Sequence, residues 1–98
     1  MADGAPFAPP VKRSVTIAGH ETSVALEPMF WTALEQAAAD AGEPLNALIA
    51  RVDAERLEAR SPPNLASALR QWLFREALGR GDDRAREGVL TMGSHIEK

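Results

Sequence analysis

Few side chains in this 98-residue chain could do covalent or acid–base chemistry. There is no cysteine, and the two histidines, His20 and His95, lie at opposite ends of the sequence. A pair so separated, with no thiolate to help, makes a poor zinc site. Glu21 follows His20 directly, as a carboxylate flanking a turn rather than as a partner in a catalytic pair. No glycine-rich phosphate loop, nucleophile elbow or paired-carboxylate motif occurs. The expectation is a non-enzyme that needs no metal or other cofactor. What remains is hydrogen-bonding chemistry. Ser14, Thr16 and Ser23 alternate with apolar residues, Lys12 and Arg13 form the one basic cluster, and Asn46 opens a later amphipathic stretch.

Those groups must be positioned by one small domain, with a core near the lower size limit for independent stability. Pairing two chains would bury more apolar surface. The net charge is −3, and residues 14–42 hold Glu21, Glu27, Glu35 and Asp40 with no lysine or arginine. A nucleic-acid ligand would therefore be held with few cations, although phosphate neutralisation dominates such binding. No run approaches the roughly 18 apolar residues of a membrane span. The N-terminus lacks the basic-then-apolar pattern of a signal peptide. The chain reads as cytoplasmic, with no membrane partner.

Residues 1–11 are rich in alanine and proline and read as a flexible arm. Residues 80–98 lack a sustained apolar face and read as a disordered tail, or one ordered only against a partner. The domain between them covers 12–79. Alternation predicts strands at 13–18 and 22–27 joined by Gly19-His20, with Ile17 opposite Thr22, Thr16 opposite Ser23 and Val15 opposite Val24. Helical spacing predicts 28–41, opened by Pro28 and closed by Gly42, with Phe30, Leu34, Ala37, Ala38 and Ala41 as its stripe and Trp31 beside it. A second helix over 44–59 turns Leu45, Leu48, Ile49, Val52 and Leu57 inward. A third, over 64–78, is capped by Asn64 and ends at Gly79. Its stripe is Leu65, Ala68, Leu69, Trp72, Leu73 and Ala77, and Phe74 falls off it as a candidate partner contact. Arg51 and Arg56 are expected to pair with Glu55 or Asp53.

The order strand, helix, Gly42, helix, read from TSVALEPMFWTALEQAAADAGEPLNALI, resembles the ribbon-helix-helix superfamily of DNA-binding repressors. The leading KRSVTIAGHETSVALE and the trailing NLASALRQWL resemble a subgroup of short bacterial proteins with that domain. The resemblance implies a mainly α fold with a short β-ribbon and an added third helix. It also implies an intertwined homodimer whose strands pair antiparallel between chains, each strand incomplete until its copy lies alongside. Val24, Leu26, Phe30, Leu34, Leu48 and Ile49 would then form the dimer interface. The implied partner is double-stranded DNA, with a role as a small transcriptional regulator. Outward strand positions touch bases in that family, which maps to Glu21, Ser23 and Ala25, and the second helix's start holds a phosphate, which maps to Asn46. Ser23 can donate and accept, Ala25 can meet only a thymine methyl, and Glu21 repels phosphate. The alternative contacts lie on the leading strand, so the DNA-binding set is Lys12, Arg13, Ser14, Thr16, Ser23 and Asn46. A second reading is a dimeric protein-interaction module, antitoxin-like or an adaptor, holding another protein through helix 64–78 or the tails.

Overall fold

The computed structural model describes residues 7–91, and the side chains of residues 7–80. Two strands, β1 (Val11–Ile17) and β2 (His20–Leu26), precede three helices, α1 (Pro28–Ala41), α2 (Leu45–Leu57) and α3 (Leu65–Thr91). The strands form one antiparallel hairpin. The helices cover one of its faces, with α2 against β1 and α3, and α1 and α3 against β2.

The hairpin turns at Ala18-Gly19 rather than at Gly19-His20. Both turn residues have positive φ, 52° and 82°, as the tight turn matching a twisted hairpin requires. Val15 therefore faces Thr22, Arg13 faces Val24 and Val11 faces Leu26. Every partner is shifted by two residues from the expected register, so each side chain keeps its face. The gain is length. The observed ladder pairs all of Val11–Ile17 with His20–Leu26, whereas the expected turn would have stopped at Arg13.

Local chemistry sets most helix ends. The Glu27 carbonyl accepts from the N–H groups of Phe30 and Trp31 at 2.9 and 3.2 Å, and Pro28 needs no partner there. Gly42, at φ 68°, ends α1 while its N–H and that of Glu43 return to the Ala39 and Ala38 carbonyls. Asn64 Oδ1 accepts the Ser67 N–H at 2.8 Å and so starts α3. Pro44 is extended and precedes α2. Gly79 does not stop α3, which continues to Thr91 through much of the stretch expected to lack structure. Residues 92–98 of that tail, His95 included, and residues 1–6 of the arm lie outside the described residues.

The core is closed by one chain. Val15, Val24 and Leu26 from the sheet meet Trp31, Leu34 and Ala38 of α1, Leu48, Ile49 and Val52 of α2, and Ala68, Leu69 and Leu73 of α3. This corrects the expectation that the strand stays uncovered without a second copy. Of the residues assigned to a dimer interface, Val24, Leu26, Leu34, Leu48 and Ile49 are buried inside the single chain, and Phe30 is packed partly buried against them. Trp31, expected beside the α1 stripe, is part of it. Its indole N–H donates to the Val11 carbonyl at 2.9 Å, so the ring is buried without an unpaired donor. Leu57 and Ala77 face solvent instead of the core.

Glu27, at the β2–α1 junction, accepts from Arg70 of α3 through Nε and Nη2 at 3.1 and 3.0 Å. The Glu27 backbone N–H first, and Arg70 second, hold its carboxyl below the ordinary glutamate range. A lowered pKa in the folded chain means stability that is present above the unfolded value and lost as pH falls through the folded one. Urea melts should therefore show wild type weakening below about pH 4.3, with Glu27→Gln less stable at neutral pH and less sensitive to acid. Ala18 holds a left-handed conformation that costs an alanine about 1 kcal/mol and an asparagine less. Ala18→Asn should raise the unfolding free energy by up to about 1 kcal/mol, read as a higher urea midpoint.

Candidate nucleic-acid interface

Alternation along the hairpin divides its side chains between two faces. Val11, Arg13, Val15 and Ile17 share the helix-covered face with His20, Thr22, Val24 and Leu26. Lys12, Ser14 and Thr16 share the opposite face with Glu21, Ser23 and Ala25. Across that face Lys12 lies opposite Ala25, Ser14 opposite Ser23 and Thr16 opposite Glu21. All but the partly covered Ala25 are exposed. The result is a strip of three hydroxyls with a cation towards one end and a carboxylate towards the other, about 14 Å long at the usual strand rise.

The structure brings Lys12, Ser14, Thr16 and Ser23 together on that face, sets Asn46 against the Thr16 end of β1, and turns Arg13 to the covered face. Arg13 lies on the covered face, its guanidinium 4.5 Å from the centre of the Trp31 ring and its Nη1 3.1 Å from Glu35 Oε2. It stacks on α1 instead of pointing outward beside Lys12. Asn46 is exposed in the first turn of α2, and its Oδ1 accepts the Thr16 backbone N–H at 3.3 Å. That bond ties the end of β1 to the start of α2.

Electrostatics narrow the site further. Besides Arg13, Arg70 is bound to Glu27, Arg56 to Asp53, Arg75 to Glu55 and Arg51 to Glu43. Arg56 thus pairs as the sequence indicated, whereas Arg51 reaches back to Glu43, which raises its pKa further. Among the described side chains, Lys12, Arg60 and Arg80 make no ion pair, and of these only Lys12 stands on the sheet. The strip can hydrogen-bond at several points and attract phosphate at one. Sequence reasoning expected internal pairs for Arg51 and Arg56, with the right partner for Arg56 alone, and missed those of Arg13, Arg70 and Arg75. Only the Asp53–Arg56 spacing of three residues on one helix carried a local signal of its pairing.

Among the described residues, no group of three or more histidine, aspartate and glutamate side chains is placed to hold a metal ion. Nor is any described helix long and apolar enough to cross a membrane.

A family model described as the ribbon-helix-helix domain matches residues 10–77, from just before β1 to near the end of the packed part of α3. No curated protein and no solved structure matches the chain. Proteins of this family are generally DNA-binding regulators without enzymatic activity, and they typically dimerise. The match spans more than half of the chain and covers both strands, α1 and α2, in the order described above. The chain belongs to the ribbon-helix-helix domain family.

Proposed function

We propose that this chain is a homodimeric, non-enzymatic, sequence-specific DNA-binding protein, a small transcriptional regulator working in the cytoplasm. The observation that carries the reading is the continuous exposed strip Lys12, Ser14, Thr16 and Ser23 on the uncovered sheet face. In the dimer, β2 of one copy pairs antiparallel with β2 of the other, giving four strands with β2 central. Three strand spacings of about 4.8 Å give a sheet about 14 Å wide, against a major groove about 12 Å wide. The two central strands enter the groove and the outer strands ride at its rims. Ser23 meets base edges there, and Glu21 can accept only from a donor such as a cytosine amino group. Lys12, on the outer strand, lies near the phosphates, with Ser14 and Thr16 beside it. Arg13 and Asn46 act indirectly, by fixing the sheet on α1 and α2.

The charge distribution makes this reading quantitative. Two copies bring two Lys12 side chains, and each neutralised phosphate contributes a log–log salt slope of about −0.9, or about −2 in all. Fluorescence polarisation with duplex DNA should give that shallow slope. Lys12→Ala should flatten it, and Arg13→Ala should leave it unchanged while lowering stability by about 0.5–1 kcal/mol through the lost ring contact. Ser23→Ala should alter preference among sequences more than overall affinity.

No binding at micromolar protein and low salt would move the assignment to the second reading, a dimeric protein-interaction module. One observation favours that alternative. Phe74 and Leu78, one turn apart on α3, are 66% and 54% exposed and border a groove that also includes Ala59 and Pro63.

A further inference from the structure

The hairpin has two outer edges, and they are not equivalent. In an antiparallel pair, opposed residues alternate between those that exchange backbone hydrogen bonds and those whose N–H and C=O groups point away. The Thr16 N–H goes to Asn46, so the Thr16–Glu21 pair is of the second kind. Alternation extends this to Ser14–Ser23 and Lys12–Ala25. The outward groups of Lys12, Ser14 and Thr16 therefore form the β1 edge, and those of Glu21, Ser23 and Ala25 form the β2 edge.

The β1 edge is guarded. Asn46 occupies its Thr16 end. Pro9 and Pro10, which carry no N–H, precede its other end, and Lys12 projects from it. Proline, lysine and a covering segment are among the devices by which sheet edges resist adding strands. Among the described residues nothing outside the hairpin hydrogen-bonds to the β2 edge. That edge is also self-complementary. β2 runs His20–Leu26, so the register that pairs the whole strand with a second copy is centred on Ser23. It sets Glu21 opposite Ala25 of the other copy. Sliding the centre to Glu21 would oppose two carboxylates, which is unfavourable.

We propose that Asn46 is a positioning residue that closes the β1 edge, so that a second copy of this chain adds only along β2, with Ser23 facing Ser23 at the two-fold axis. This deepens the proposed function and rests on its homodimer.

The test uses the absence of native cysteine. Opposed residues in a hydrogen-bonded pair stand about 5.5 Å apart between Cα atoms, within disulfide reach. Under mild oxidation with diamide, Ser23→Cys should give covalent dimers, while Ser14→Cys, the midpoint of β1, should give almost none. Adding Asn46→Ala to Ser14→Cys should raise its cross-linked fraction several-fold. Asn46→Asp, which keeps an acceptor at that position, should return it to the low level. If Ser23→Cys cross-links but Asn46→Ala leaves Ser14→Cys unchanged, the role of Asn46 is overturned and the homodimer stands. If Ser23→Cys stays monomeric while its circular dichroism matches wild type, the β2 joint and the homodimer reading both fail.

Discussion

The burial of one face of a two-stranded hairpin governs this structure. Two strands alone are marginal in water, so β1 and β2 depend on what covers Val15, Val24 and Leu26. All three helices contribute, and Leu26, Leu34, Leu48, Ile49 and Leu69 are left with essentially no exposed surface. Each such side chain contributes roughly 1.5–3 kcal/mol by leaving water. The other face is freed from any structural duty, which is why it can be lined by hydroxyls, a lysine and a glutamate. The polar face carries no part of the core, which lies wholly on the other side of the sheet.

The charged residues are used mainly to join elements. Arg13 links β1 to α1, Arg70 links α3 to the β2–α1 junction, and Arg75 links α3 to α2. Exposed pairs of this sort contribute little singly, of the order of 1 kcal/mol or less. Their larger effect is on the field around the molecule, because each neutralises a cation that could otherwise attract a polyanion. The acidic chain thus presents a nearly neutral sheet, on which contact depends more on hydrogen-bond geometry than on long-range attraction.

Much of the fold was legible because its signals are local. Pro28, Gly42 and Asn64 act within a turn of where they stand, and alternation correctly sorted the small polar residues onto one face. The turn was misplaced by one residue because both registers satisfy the same alternation, and only ladder length separates them. The polar strip was readable, and so was the side of Arg13, whose parity is that of Val15 and Ile17. Its nearness to Lys12 in sequence hid this. The indole–carbonyl bond of Trp31, the Asn46–Thr16 bond and the Glu27–Arg70 pair join residues 20, 30 and 43 positions apart. No local pattern announces them. Gly79 misled because glycine costs a helix interior only about 1 kcal/mol, which weakens a helix without ending it.

The core gathers residues from Val15 to Leu73, so its first and last contributors stand far apart in the chain. Contacts between distant residues slow folding relative to contacts between neighbours. The hairpin's covered face is finished only when α3 returns to it, which ties the first strand and the last packed helix into one cooperative unit.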